Sequence, residues 1–294
     1  MKQSPMRKPV VALFGGTAPV EEEAAIALPP AASPAEAAGP SVSALDLTGT
    51  PKVVLLIGAG GTGKTTLARW IGEAAIEAGA PPILAAADPL NRSLASYFED
   101  VAQPASADPA VTAAWLEALF GHLMQSPANA VVDLGGGDTS LAALLRGVPD
   151  LAEAMEAAGC PVVALHVVGP RLDDLAGVAS MEAAGFKPKA RAIVLNEGRA
   201  DPSMSREETF GRTLRHSVYR NAVAAGAVPL WMPRIPGNAA AEVEAKRLAF
   251  GAARDGIAPD GRTVAPLGPF DRSRIRTWLA AMEREFSPVR SWLR

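Results

Sequence analysis

The chain has 294 residues, 49% of them hydrophobic and 20% charged, with a net charge of −3. That composition suffices for one sizeable α/β core and excludes a wholly disordered chain or a protein that binds nucleic acid through bulk basic charge. A single cysteine, Cys160, excludes an intrachain disulfide framework. No apolar run long enough to cross a bilayer is free of charges and turn breakers, so the expected setting is cytoplasmic.

Residues 1–50 are rich in Ala and Pro, with Glu21–Glu23 in a row and Pro29, Pro30, Pro34 and Pro40. They predict a disordered leader, interrupted by one short apolar run, Val10–Phe14. Residues 51–294 read as one domain with a helical C-terminal part from about 238. Six buried strands are predicted at Val53–Ile57, Ile83–Ala86, Ala130–Asp133, Val162–Val168, Ala192–Leu195 and Val228–Met232. Helices are predicted between them at Thr65–Ala78, Val111–Met124, Leu141–Leu145, Leu151–Ala158, Leu172–Ala184 and Glu207–Ala225, with Gly79, Gly185 and Gly226 as stops. Ala239–Phe250 and Arg272–Phe286 follow, the last capped by Asp271 or Ser273 and burying Ile275, Trp278, Leu279 and Met282. The alternation predicts an α/β fold: a mostly parallel central sheet with helices on both faces.

Gly58-Ala-Gly-Gly-Thr-Gly-Lys64-Thr65 matches G-x-x-x-x-G-K-[ST] in full, between a predicted strand and a predicted helix. Glycines at Gly58, Gly60, Gly61 and Gly63 let backbone amides turn inward on phosphate oxygens, with Thr62 and Thr66 in the same loop and helix start. The helix N-terminus adds its dipole. Lys64 is placed to reach the β- and γ-phosphates, and the Thr65 hydroxyl to ligate Mg²⁺. The expected ligand is therefore a nucleoside triphosphate with Mg²⁺, and residues 51–294 read as a nucleotide-binding domain of the P-loop NTPase fold.

Two carboxylates end neighbouring strands. Asp133 closes Ala-Val-Val-Asp before Leu-Gly-Gly-Gly, the form of a Walker B aspartate that holds Mg²⁺ through water, with Gly136 or Gly137 offering an amide to the γ-phosphate. Asp138 is the expected cap of the next helix. Asp88, in Ala-Asp-Pro-Leu-Asn, reads either as the group that positions the attacking water, with Asn91 holding the segment, or as an Asx turn. Asn196 ends the fifth strand and reads either as a side-chain amide that can pair with a purine edge or as an ordinary loop residue. Arg234, after the sixth strand, reads equally as a neighbour of the base or as an ordinary loop residue.

Gly60-Gly-Thr-Gly-Lys-Thr, Asp88-Pro-Leu-Asn91, Val131-Val-Asp133 and Leu195-Asn196 occur in the order and spacing that resembles the ParA/MinD family of deviant-Walker ATPases. Within it the chain looks most like the TraL-type proteins of conjugative plasmids, through Val148-Pro-Asp-Leu, Met155, Gly159, His166-Val-Val-Gly and Pro233-Arg-Ile. The resemblance covers about Val53 to Phe250. It implies ATP and Mg²⁺ as ligands, with Lys64 and Thr65 on phosphate and metal, Asp88 as the switch carboxylate, Asp133 as Walker B and Asn196 on the base. It also implies slow hydrolysis used as a switch, a homodimer, and protein partners in a plasmid transfer or partition machinery. Two departures stand out. Ala59 replaces the signature lysine that reaches across the family's dimer, and Ala86 replaces one of two carboxylates before the proline. Arg92 is a candidate for the missing cation.

Weaker signals remain. Arg212, Arg215 and Arg220, expected on one helix, offer a surface for DNA phosphates, although a solvated face explains them as well. His122, His166 and His216 lack metal-ligand spacing and carry no chemistry in this reading.

Overall fold

The computed structural model describes residues 45–90, 93–136, 139–258 and 264–294. The expected leader up to residue 44, and Asn91, Arg92, Gly137 and Asp138 with the roles given to them above, lie outside the described residues. The described end of the expected leader, residues 45–50, packs on the core. Leu47 is buried and its amide donates to Ser291 Oγ at 3.2 Å, while Trp292 Nε1 donates to Leu45 O at 3.1 Å.

Seven parallel strands form one sheet in the order β3-β2-β4-β1-β5-β6-β7. They are β1 (Val53–Ile57), β2 (Ile83–Ala86), β3 (Val101–Ala102), β4 (Ala130–Asp133), β5 (Val162–Val168), β6 (Ala190–Asn196) and β7 (Val228–Met232). Six match the sequence expectation. The two-residue edge strand β3 does not, because a pair this short leaves no alternation to read. The α-helices among the described residues are α1 (Lys64–Glu77), α2 (Pro109–Gln125), α3 (Ser140–Gly147), α4 (Leu151–Ala157), α5 (Ala176–Ala183), α6 (Arg206–Arg215), α7 (Ser217–Ala224), α8 (Ala239–Lys246), α9 (Phe250–Asp255), α10 (Pro269–Glu285) and α11 (Arg290–Leu293).

Alternate residues of β1 serve opposite layers. Val54 and Leu56 join α1, α8, α9 and α10 through Leu67, Trp70, Val243, Phe250 and Trp278. Val53, Leu55 and Ile57 join α2, α3 and α4 through Leu116, Phe120, Leu141 and Met155. Both faces of the sheet are thus covered, as a parallel sheet of apolar strands requires.

Three helices expected to be continuous are broken. The stretch Leu172–Ala184 opens as a 3-10 turn, Leu172–Leu175, before α5. Extended backbone at His216 (ψ 140) separates α6 from α7, and its Nδ1 accepts the Val218 amide at 3.3 Å. That break puts Arg212 and Arg215 on α6 and Arg220 on α7, so the three do not share one helix. Arg247, at φ 48, ends α8 before α9 begins. α10 also starts earlier than expected. Gly268 is its N-cap and Pro269 its first residue, so Asp271 sits in the first turn and neither Asp271 nor Ser273 caps it. Ile275, Trp278 and Met282 are buried as expected, and Leu279 is partly so. Among the described residues no helix is long and apolar enough to cross a membrane.

Candidate functional site

The loop Gly58–Gly63 joins the carboxyl end of β1 to the start of α1. Register fixes what surrounds it. Leu56 of β1 pairs with Asp133 of β4, and Asp133 pairs in turn with Ala86 of β2, so Asp133 and Asp88 flank the loop on one side. On the other side β5 and then β6 bring Asn196 to the same edge of the sheet. Ligands of open parallel sheets bind at this carboxyl edge.

The loop's shape depends on missing side chains. A Cβ at Gly58 would run into the Val167 carbonyl oxygen. Gly63 takes φ 101, left-handed backbone that favours glycine, and a Cβ there would strike Asn196 Nδ2. A Cβ at Gly136 would lie 2.6 Å from Gly60 N, so the segment after β4 rests directly on the loop.

A cleft of about 550 Å³ opens over the loop. Its lining includes Gly60, Gly61, Gly63, Lys64, Thr65, Thr66, Asp88, Asp133 and Gly136. Lys64 Nζ donates to Gly58 O at 2.9 Å and Ala59 O at 3.0 Å. The Thr65 hydroxyl donates to Asp133 Oδ2 at 2.6 Å. Burial pushes the Asp133 carboxyl above the usual carboxylate range. The Thr65 bond and the Lys64 charge pull it back, and Asp88 pushes with the burial. A desolvated carboxylate held against a hydroxyl, beside a cation and a second carboxylate, suits a divalent cation. Among the described residues no group of three His, Cys, Asp or Glu is placed to hold a metal. A Mg²⁺ site of the phosphate-binding kind needs one carboxylate and one hydroxyl, with phosphate and water completing the shell.

The other candidates divide. Asp88 lines the cleft, and its Oδ1 also accepts the Leu90 amide at 3.0 Å, so the Asx turn and the cleft position coexist. Asn196 is buried and its amide is spent on the scaffold: Nδ2 donates to Thr62 O at 2.6 Å, and Oδ1 accepts the Gly198 amide at 2.8 Å. In this arrangement Asn196 braces the loop. Arg234 does not line the cleft. Its Nε and guanidinium donate to Glu197 O at 3.1 and 2.9 Å and to Ala200 O, fixing the turn after β6 from behind. His166 lies inside β5 with Nδ1 unpartnered. Burial, then Arg191, pushes it down to about 3, so it stays neutral.

The cleft also contains residues that the sequence did not single out: Arg69, Ser93, Tyr97, Arg199 and Glu244. Arg69 is buried between the Tyr97 and Phe250 rings, 3.3 and 4.3 Å from their centroids, and donates to Glu244 Oε1 at 2.6 Å. The Tyr97 hydroxyl donates to the other oxygen of Glu244 at 2.7 Å. Nothing in spacing links Arg69 to Glu244. Arg199 did leave a signal, a cation three residues beyond Asn196 in a strand-end loop.

No family model and no curated protein matches the chain. Among solved structures it is similar to chloroplast FtsY from Physcomitrella patens (15% identity, 65% of this chain and 61% of that one, TM-score 0.43). It is likewise similar to the signal recognition particle receptor FtsY from Elizabethkingia anophelis (13%, 79% and 66%, TM-score 0.42). A third is the MinC:MinD cell division protein complex from Aquifex aeolicus (12%, 79% and 96%, TM-score 0.42). The chain spans less than two thirds of the length of either FtsY chain. Its own strand order, with a glycine-rich loop between β1 and α1 and an aspartate at the end of β4, makes the fold that of a P-loop NTPase.

Proposed function

We propose that the chain binds Mg²⁺-ATP in the cleft over Gly58–Thr66 and works as a switch with slow hydrolysis. The observation that carries this reading is the contact of Thr65 Oγ1 with Asp133 Oδ2 at 2.6 Å at the start of α1. It supports a metal site shared by hydroxyl and carboxylate. Mg²⁺, when bound, would neutralise charge on the phosphates. Gly60, Gly61 and Gly63 leave room for phosphate against backbone amides, and Lys64 exchanges the carbonyls of Gly58 and Ala59 for phosphate oxygens. Asp88 orients a water from the neighbouring strand end. The choice of ATP over GTP rests on the ParA/MinD resemblance. So do a second copy and plasmid-transfer or partition proteins of the TraL type as partners, and a cytoplasmic setting fits the one buried cysteine.

The test is Mg²⁺-dependent phosphate release from ATP and from GTP, with sizing chromatography in each nucleotide. Lys64→Ala should lower affinity by about tenfold or more, the worth of a charge-assisted contact. Asp88→Ala should keep binding and lose release. Ala59 and Ala86 favour a second reading, a nucleotide-binding scaffold that does not turn over. Tight binding without release in the wild type would decide for it. No binding of either nucleotide would end both.

A further inference from the structure

We infer that Arg199 is a phosphate-contacting residue, its guanidinium meeting the terminal phosphate of a nucleoside triphosphate at the outer lip of the loop. The inference rests on the nucleotide reading above.

Position comes first. Arg199 lines the cleft with Gly60, Gly61 and Lys64, and a Cβ added to Gly61 would lie 4.0 Å from its guanidinium. Gly61 lies in the loop between β1 and α1, three residues before Lys64. The loop lysine of such a site reaches the outer phosphates, and here Lys64 Nζ rests on the carbonyls of Gly58 and Ala59. Arg199 therefore shares one cleft wall with the lysine that serves the outer phosphates.

The backbone of the turn that presents Arg199 is tied at several points. Asn196 ties it to the loop through Thr62 O and folds it through the Gly198 amide. Arg234 holds the carbonyls of Glu197 and Ala200, and Arg206 pairs with Glu197. Arg199 alone in this turn reaches the cleft. The backbone that carries Arg199 is thus set before an anion binds, which spares that part of the ordering cost.

The cleft lining carries Lys64, Arg69 and Arg199 against Asp88, Asp133 and Glu244, three of each sign. Arg69 is committed to Glu244 and Arg206 to Glu197 and Glu285. Among the described residues no carboxylate lies within ion-pair distance of Arg199. Without it the wall would carry more carboxylates than cations, an unsuitable lining for a polyphosphate. A planar guanidinium also meets two phosphate oxygens at once.

The test is calorimetric titration of the full chain with ATP and with ADP, both with Mg²⁺, for wild type, Arg199→Ala and Arg199→Lys. Arg199→Ala should weaken ATP about tenfold or more and ADP far less, with Arg199→Lys between them. Arg199 is exposed, so the melting temperature without nucleotide should not move. ATP affinity within about twofold of wild type, or equal losses for ATP and ADP, would overturn the assignment. If wild type takes only GTP, the same comparison is made with GTP and GDP. A wild type that binds no nucleotide removes the site reading itself and Arg199's role with it, an outcome distinct from a wild type that binds and a variant that does not differ.

Discussion

Glu73 on α1 faces the start of α9. Its Oε2 accepts the amides of Phe250 at 2.5 Å and Gly251 at 3.3 Å, a cap supplied to one helix by another, while Oε1 is enclosed without a partner. Burial, against the pull of Arg69, pushes this carboxyl up from 4.5 to about 7. The folded chain therefore holds a proton that the unfolded chain has lost across that window. The group's contribution is complete below pH 4.5 and disappears as pH rises through 7. Because the residue as a whole is half-buried, water screens part of the effect, and the loss should be about 1–2 kcal/mol. Glu73→Gln keeps an acceptor and removes the charge. Thermal melts should show it more stable than wild type at pH 8 and no better at pH 5; parallel pH profiles would refute this. Legibility at this scale follows chemistry. Gly58–Thr65 was readable because the phosphate cradle is continuous in sequence, and Asp133 because it ends an apolar run. The bracing role of Asn196 and the Arg69–Glu244 pair were not, since both depend on which strands and helices become neighbours.

Strands were easier to read than helix breaks. Val53–Ile57 and Ala130–Asp133 are apolar on both faces and bounded by turn residues, so their limits show. The breaks at His216 and Arg247 interrupt stretches whose apolar spacing continues across them, and neither position carries glycine or proline. At Arg247 the cost is local. It adopts φ 48 and ψ 50, exposed, so that Leu248 can turn into the core and the Leu248 carbonyl can accept Arg69 at 3.0 Å. Left-handed backbone disfavours a residue with a Cβ by roughly 1 kcal/mol. Arg247→Gly should therefore stabilise the protein by about 0.5–1 kcal/mol in denaturant titration, with an unchanged slope. A loss instead would mean that the arginine side chain contributes more than the turn costs.

At the scale of the whole molecule, the helices from residue 239 onward are part of the core that covers the sheet. Trp278 of α10 packs its ring 4.7 Å from that of Phe250 and donates to Pro233 O at 2.9 Å, while Trp70 of α1 meets Phe286 at 5.0 Å. Lys52, buried just before β1, donates to Ser291 O and Arg294 O at 2.9 and 2.8 Å. Trp278→Ala should cost about 3–5 kcal/mol, leaving a single transition at lower temperature. A separate early transition for the C-terminal helices, with nucleotide-induced stabilisation retained in the rest, would show them to be an independent unit.

The place of β1 in the sheet also bears on how the chain is made. Its two neighbours, β4 and β5, begin at Ala130 and Val162. During synthesis Val-Val-Leu-Leu-Ile therefore leaves the ribosome without either flanking strand, and every residue of it is apolar and destined for burial. Nascent chains stopped before Ala130 carry an unpaired, aggregation-prone edge, whereas chains extended past Val168 can close both sides of it.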